Sequence, residues 1–332
     1  MYVRKFKVLA LVFTLMLVIG VLAGCGGGSE EQSSDNSSGG EKQFISIATG
    51  GVGGTYFPLG GAMAEIFNAN IENVSATAET TGASKANISL LADKKVELAF
   101  VQNDISYYAS QGLNMFDSKV DNIAGIATLY PEVIQIVTLA DSGINSVEDL
   151  RGRKVAVGAA GSGVEANARQ VLEAYGMTFE DIEPDFLSFS EAANNMKDGH
   201  IDAAFLTAGL PTAAINDLAA THDIKIIPVS DEAKAKLMEK YPYYAECVIP
   251  AGTYPNQDND VQTVAVKAML VVRSDLSEDL VYNLTKAIFE NLDDLAAAHQ
   301  RGNDISLDTA MEGMSLELHP GARKYYEEQG VL

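Results

Sequence analysis

The stretch ATGGVGGTYFPLGGAM, residues 48–63, predicts the end of a strand, a glycine-rich loop and the start of a helix. Pro58 fits the first turn of that helix, where its missing N–H is not needed. The N–H groups and the dipole at such a helix start favour an anion. The pattern therefore predicts a binding loop, and its ligand could be either a nucleotide or a small acid.

The spacing of these glycines argues against a nucleotide. No lysine follows them, so the P-loop pattern is absent. Gly51 and Gly53 match the first part of a dinucleotide motif, but Tyr56 stands where its third glycine belongs. A ring at that position blocks close packing of helix on sheet. We therefore interpret the loop as half of a site for a small acid.

The same design returns about 105 to 110 residues later. The segment GAAGSGVEANARQVLEA, 158–174, again opens a helix with a glycine-rich turn, and LLADKKVELAFVQNDI, 90–105, resembles NMKDGHIDAAFLTAGL, 195–210. Strands that alternate with helices indicate parallel βαβ units. The repeat predicts an α/β protein of two similar lobes rather than one large sheet.

Two long apolar strand patterns connect these halves. They are IAGIATLYPEVIQIVTLADSG, 123–143, and VQTVAVKAMLVVRSDL, 261–276. We expect them to form a two-strand hinge, with residues 44–130 and 265–332 in lobe 1 and residues 131–264 in lobe 2. The ligand would lie in a cleft between the lobes, where the carboxyl ends of the strands of both lobes meet.

The amino-terminal segment predicts export and a lipid anchor. Three basic residues precede an apolar run of about 16 residues, shorter than the roughly 20 that a spanning helix needs. The run ends in small residues before Cys25, so we interpret residues 1–24 as a lipoprotein signal peptide and Cys25 as the lipidated residue. Residues 25–43 then form a flexible Gly/Ser/Glu tether. The alternative is an ordinary membrane anchor with an incidental cysteine.

Composition restricts the partners. The net charge is −22, and it becomes −25 once the signal peptide, with three basic residues and no acid, is removed. Binding to nucleic acid needs clustered Lys and Arg, so we expect no nucleic-acid partner. With Cys25 lipidated, Cys247 has no disulfide partner, and no Cys/His metal spacing exists. We expect no metal and no cofactor.

Catalytic groups are sparse in the sequence. The four histidines lie in predicted turns or helix ends, outside any metalloprotease or Ser/His/Asp pattern. Ser162 is not a nucleophile elbow, because Ala160 replaces the first glycine of G-x-S-x-G. Its hydroxyl either caps a helix with Glu165 or contacts the ligand, and both roles can coexist. We expect a binding protein and not an enzyme.

Several motifs together resemble the TAXI family, the extracytoplasmic solute-binding subunits of TRAP transporters. They are ATGGVGGTYFPLGGAMAEIF, VELAFVQNDISYYA, IATLYPEVIQIV, SVEDLRGRKVAVGAAGSGVEANARQVLEAYG, LSFSEAANNMKDGHIDAAFLTAGLPT and LHPGARKYYEEQG, and they extend from about Phe44 to Leu332. The resemblance implies a type II periplasmic-binding-protein fold with a closing cleft. It also implies that a small carboxylate, such as glutamate or a related dicarboxylate, is delivered to a fused membrane permease driven by an ion gradient.

The matching positions supply the predicted ligand-binding residues: Gly54, Thr55, Tyr56, Thr81, Gly82, Ser84, Gln102, Asp104, Tyr130, Glu132, Gln135, Gly161, Ser162, Gly163 and Thr207. The glycines would offer N–H groups to a carboxylate, and the hydroxyl side chains would add further donors. Asp104 or Glu132 would pair with an ammonium group if the ligand were an amino acid. Core packing for the tyrosines and a helix cap for Asp104 are the alternatives.

Two features of these motifs leave the ligand open. None of the predicted ligand-binding residues is an arginine, the commonest bidentate partner of a carboxylate, so the anion would rely on neutral donors and helix ends. Gln135 also stands where a histidine is frequent in the TAXI family. An alternative function for the same fold is a ligand-sensing lipoprotein that signals to a membrane kinase.

Overall fold

The computed structural model describes residues 42–332, in which strands alternate with helices. The strands in that range are β1 (Gln43–Ala48), β2 (Val74–Glu79), β3 (Leu98–Gln102), β4 (Ile123–Leu139), β5 (Lys154–Ala156), β6 (Glu183–Asp185), β7 (Ala203–Ala208), β8 (Ile224–Ile227), β9 (Ala245–Ile249) and β10 (Val261–Arg273). The helices are α1 (Tyr56–Asn70), α2 (Ser84–Ala92), α3 (Asn103–Gln111), α4 (Gly163–Ala174), α5 (Phe189–Lys197), α6 (Ala213–Ala219), α7 (Asp231–Lys240), α8 (Glu278–Glu290), α9 (Leu292–Ala298) and α10 (Pro320–Glu328).

The predicted amino-terminal features lie almost entirely outside the described residues. These are the signal peptide, the lipidation site at Cys25 and most of the tether, residues 25–43. The last tether residue, Gln43, is part of β1 and pairs with Val74 of β2. None of the helices of residues 42–332 combines the length and apolar character needed to cross a lipid bilayer.

The strands join in one mixed sheet with the order β2-β1-β3-β10-β4-β7-β5-β6, and β8 and β9 pair with β4 and β10. β1 is parallel to β2 and β3, and β5 is parallel to β6 and β7, as βαβ units require. β4 and β10 are antiparallel to each other and to their other neighbours. We expected two lobes rather than one large sheet, and this expectation needs a correction. Hydrogen bonds continue from the parallel strands β1–β3 through β10 and β4 to the parallel strands β5–β7, so all of them belong to one sheet.

The length and burial of β4 explain this continuity. Its 17 residues are buried almost throughout, as expected for a strand covered on both faces. At about 3.3 Å per residue it extends roughly 55 Å, enough to pass through both halves of the molecule. β10 lies beside it over much of this length, so the two strands make the predicted two-strand connection.

The apolar core is divided between the two halves of the molecule that β4 and β10 connect. One cluster is built from residues 45–130 and 268–326, and two others from residues 133–266. We therefore keep the terms lobe 1, for residues 44–130 and 265–332, and lobe 2, for residues 131–264, as proposed bounds. A fourth cluster combines Ile88 and Met269 of lobe 1 with Ala166 of lobe 2, so the lobes also pack against each other.

Candidate functional site: a cavity between the two lobes

A cavity lies where helix N-termini from both lobes converge. Its wall includes the glycine loop before α1, the loop before α2, the starts of α4 and α5, and the end of β7. The cavity offers about 70 Å³ to the centres of water-sized molecules, so it is a small cavity. It lies at the carboxyl ends of strands, where ligands of open α/β sheets bind.

Most of the predicted ligand-binding residues line this cavity. They are Gly54, Thr55, Tyr56, Thr81, Gly82, Ser84, Gln102, Glu132, Ser162, Gly163 and Thr207. The two lobes are in contact around them: Gly53 accepts a hydrogen bond from the N–H of Ala214 at 3.1 Å. The cleft is therefore closed over the cavity.

Asp104 and Tyr130 lie behind the cavity wall. Asp104 Oδ2 accepts a hydrogen bond from Asn167 at 3.0 Å. The ring of Tyr130 is part of the lobe 1 core, which agrees with the core-packing alternative. Neither side chain borders the cavity, so their direct contact with ligand remains a prediction that the geometry does not favour.

Gln135 and Gly161 also lie outside the cavity wall. The Gln135 amide donates to Thr212 Oγ1 at 2.9 Å and accepts from the Tyr254 hydroxyl. The N–H of Gly161 donates to Glu165 Oε2 at 2.7 Å. Both groups predicted to bind ligand are therefore occupied by partners within the protein.

Two buried acids dominate the electrostatics of the site. Glu132 is 2% exposed and accepts a hydrogen bond from the Tyr56 hydroxyl at 2.7 Å. Burial raises the pKa of Glu132 to about 8 and that of Asp104 to about 7. The negative charge of Asp104 contributes to the raised pKa of Glu132. Since no Lys or Arg of the described part of the chain lines the cavity, a cationic group on a ligand would be a favourable partner for Glu132.

Neutral donors and acceptors form the rest of the wall. Thr55 Oγ1, Thr207 Oγ1 and Gln102 Oε1 are buried and have no hydrogen-bond partner among residues 42–332. Helices α1 and α2 begin at the cavity without a side-chain cap, so their first N–H groups are oriented to receive an anion. Hence one side of the cavity suits a carboxylate, whereas the side at Glu132 suits a cation.

Arg301 does not change these electrostatics. Arg301 packs beside Gly209, where an added Cβ would lie 2.4 Å from Arg301 Cγ. Its guanidinium binds Asp304 at 2.8 Å and does not line the cavity. Among residues 42–332 there is also no group of three or more His, Cys, Asp or Glu side chains that could hold a metal ion.

Ser162 acts as a helix cap. Its hydroxyl accepts a hydrogen bond from the N–H of Glu165 at 3.2 Å, and the Glu165 carboxylate accepts from Gly161 in return. Only the hydroxyl half of the predicted capping box is therefore present, because the N–H of Ser162 itself donates to the carbonyl of Ala159 at 2.9 Å and not to Glu165. Ser162 also borders the cavity, so its contact with ligand stays a prediction beside the capping role.

Replacing Ser162 by Ala is expected to reduce the free energy of unfolding by about 1 kcal/mol, the usual cost of losing a cap. Urea unfolding at neutral pH would measure it. Ser89→Ala serves as the control, because the Ser89 hydroxyl is exposed and bonds only within its own helix. Equal stability of the two variants would contradict the capping role.

The predicted list omits eight residues of the cavity wall: Gly50, Gly51, Ala83, Ala159, Val164, Ser188, Phe189 and Ala208. Ser188 and Phe189 form part of the cavity wall at the start of α5, and Asn167 lies behind Gln102. The S-x-x-E pattern of Ser188 and Glu191, a capping box in the structure, could have located the start of α5. No local pattern indicates that Phe189 or Asn167 would face the other lobe.

Comparison with known proteins adds a family and a fold. The sequence profile of the NMT1-like family matches residues 47–330. The chain belongs to the NMT1-like family. Among solved structures it is similar to PhnD1 from Prochlorococcus marinus in complex with methylphosphonate, with 10% identity, a TM-score of 0.56, and coverage of 88% of this chain and 100% of that chain.

A second structure similar to this NMT1-like chain comes from Bordetella bronchiseptica RB50. It shows 14% identity, a TM-score of 0.55, and coverage of 87% of this chain and 98% of that chain. The periplasmic aliphatic sulphonate binding protein SsuA from Escherichia coli matches at 15% identity and a TM-score of 0.46, over 86% of this chain and 78% of that chain. The similarity to PhnD1, at a TM-score of 0.56, confirms the predicted two-lobed α/β fold of the periplasmic-binding-protein type.

Proposed function

We propose that this NMT1-like protein is an extracytoplasmic solute-binding receptor that captures a small amino acid for a membrane transporter. One observation carries the proposal: the closed cavity combines helix N-termini and neutral donors with Glu132, and among residues 42–332 no other carboxylate and no basic side chain lines it. An α-carboxylate matches the helix starts. An α-ammonium group matches Glu132.

The same charges discriminate between the ligands that the sequence suggests. Burial holds Glu132 protonated up to about pH 8, so a dicarboxylate without an amine would lie beside a neutral Glu132 and gain no ion pair. A ligand ammonium group instead favours the ionised form of Glu132 and pairs with it where little solvent screens the attraction. Glutamate and related amino acids bring the compensating ammonium group, so we favour them over dicarboxylates such as succinate.

The transporter type rests on the sequence motifs. Their resemblance to the TAXI family supports delivery to a fused TRAP permease, with the receptor held at the membrane through a lipid on Cys25. Closure of the two lobes gives a permease a recognisable ligand-loaded form. A ligand drives that closure only by its stronger binding to the closed state, and the contacts from both lobes around the cavity support such a preference.

Thermal melting of the purified full-length chain in detergent tests the proposal. The panel contains L-glutamate, L-glutamine, L-alanine, glutarate, 2-oxoglutarate, succinate and methylphosphonate. A ligand at 100 times its Kd adds about 2.7 kcal/mol to the free energy of unfolding, so an amino acid is expected to raise the Tm clearly. Stabilisation by a dicarboxylate or the phosphonate alone would contradict the ligand class.

A further inference from the structure

A network of buried polar side chains connects the lobes behind the cavity. Asn167, on α4 of lobe 2, accepts a hydrogen bond from Gln102 Nε2 at 3.1 Å through its Oδ1. Its own Nδ2 donates to Asp104 Oδ2 at 3.0 Å and to the Tyr244 hydroxyl at 2.9 Å. Gln102, Asp104 and Asn167 are all buried.

The chemistry of these groups determines which end of each amide faces which neighbour. Above its pKa of about 7 Asp104 is ionised, and an ionised carboxylate only accepts hydrogen bonds, whereas an amide has a donor end and an acceptor end. Asp104 therefore binds the NH₂ end of Asn167, and this turns Asn167 Oδ1 towards Gln102. Gln102 in turn directs its own NH₂ group to Asn167.

Tyr244 reinforces the same orientation of Asn167. Its hydroxyl donates to Gln170 Oε1 at 2.5 Å. A hydroxyl has one hydrogen, so towards Asn167 it can only accept. Gln170 also donates from Nε2 to the Tyr108 hydroxyl of lobe 1 at 3.0 Å. Two independent acceptors thus hold the NH₂ end of Asn167.

The consequence appears at the cavity wall. The group of the Gln102 amide that remains without a partner in the described chain is its carbonyl oxygen, Oε1, which is buried. This oxygen lies against Gly163, and both residues line the cavity. With the opposite amide orientation, Gln102 would present an NH₂ donor there and would favour a carbonyl or carboxylate on the ligand.

We propose that Asn167 and Asp104 are positioning residues that make Gln102 present its carbonyl oxygen to the ligand, so that the site selects a ligand with an N–H donor over its counterpart without one. The proposal relies on the proposed function only for the class of ligand. It assigns the selection to two residues that do not line the cavity.

The first test uses Asp104→Asn and the double variant Asp104→Asn with Asn167→Asp. At pH 8, where Asp104 of the wild type is ionised, the single variant can turn either end of its new amide to Asn167, and Tyr244 is left as the one neighbour that requires the NH₂ end. The orientation is loosened, so the ratio of the Kd of glutarate to that of L-glutamate is expected to fall, by up to about tenfold, the value of one hydrogen bond to a charged group. The double variant exchanges the two groups: the new amide at position 104 donates to the new carboxylate at position 167, which still accepts from Gln102. The Tyr244 hydroxyl turns its hydrogen from Gln170 to this carboxylate. The ratio is expected to return to that of the wild type.

A ligand-free measurement separates this proposal from the proposed function. The side-chain NH₂ of Gln102 is expected to be protected from solvent exchange in ¹⁵N NMR of the wild type and of the double variant, but not of Asp104→Asn. If L-glutamate and glutarate both fail to bind the wild type, the proposed ligand class is in doubt and the exchange data alone decide the role of Asn167.

Three results would overturn the proposal. The first is an Asp104→Asn variant with the same Kd ratio and the same protection of the Gln102 NH₂ group as the wild type. The second is a double variant that fails to restore both. The third is an unchanged Kd ratio in Gln102→Met. Gln102→Met removes the carbonyl oxygen and keeps a similar side-chain length. It tests the proposal if Asp104→Asn does not fold. Failure of the double variant would mean that the single substitution acts through the lost charge and not through the orientation of Gln102.

Discussion

Between pH 5 and pH 9, the ligand-free wild type is expected to lose about 4 kcal/mol more free energy of unfolding than its Glu132→Gln variant. The cause is the burial of Glu132, which raises its pKa from 4.5 to about 8. Glutamine at the same position keeps the size and polarity of the side chain but has no proton to lose. The difference between the two proteins therefore isolates this carboxyl group.

The sign follows from the proton count. In the unfolded chain Glu132 loses its proton near its ordinary pKa of 4.5, whereas in the folded protein it does so only near pH 8. Between these values the folded state holds a proton that the unfolded state lacks, so stability falls as the pH rises. The stabilisation is complete below pH 4.5 and is lost by about pH 8. No further loss from this group is expected above that pH.

Urea unfolding at pH 5, 7 and 9 would measure the effect. Asp104 has a pKa raised to about 7 for the same reason, burial, and contributes in the same direction in both proteins. Glu65→Gln is a matched control, because Glu65 is exposed on α1. Parallel pH profiles for the wild type and Glu132→Gln would show that Glu132 is not held protonated in the folded state.

The fold could be predicted because its signals are local or periodic. The glycine loops, the helix caps and the long apolar runs of β4 and β10 all appear in the sequence in the order in which they occur in the structure. The continuity of the sheet could not be predicted in this way. An apolar run shows that a strand is buried, but it does not show which strands pair with it.

Those residues of the candidate site that lie at strand ends and helix starts could be predicted from the sequence. Glu132 and Gln135 show the limit. They are separated by three positions on β4, and because side chains alternate between the faces of a strand, only one of them can face the cavity. Asn167 and Phe189 reach the site through contacts with the opposite lobe, and no pattern in their own segments indicates those contacts.

Replacing Gly163 by Ala and then by Val is expected to weaken ligand binding progressively, by about tenfold and at least about a hundredfold, because each step keeps the lobes further apart. A Cβ at Gly163 would lie 1.6 Å from Gln102 Oε1 and 2.4 Å from its Cδ. Gln102 has little freedom to move away, since its side chain binds Asn167 and its backbone N–H binds Ser84 Oγ at 3.2 Å. Lobe 1 and lobe 2 meet at this contact, so the side chain acts on closure and not on either core.

Two measurements separate closure from folding. Calorimetric titration with the amino acid that raises the Tm gives the Kd, and small-angle X-ray scattering of the ligand-free variants is expected to show a larger radius of gyration than the wild type. Gly61→Ala is the control: an added Cβ there meets nothing within 4 Å, and alanine favours the helix by up to about 1 kcal/mol. A Gly163→Val variant that matches the wild type in both Kd and radius would show that the contact between Gly163 and Gln102 does not limit closure.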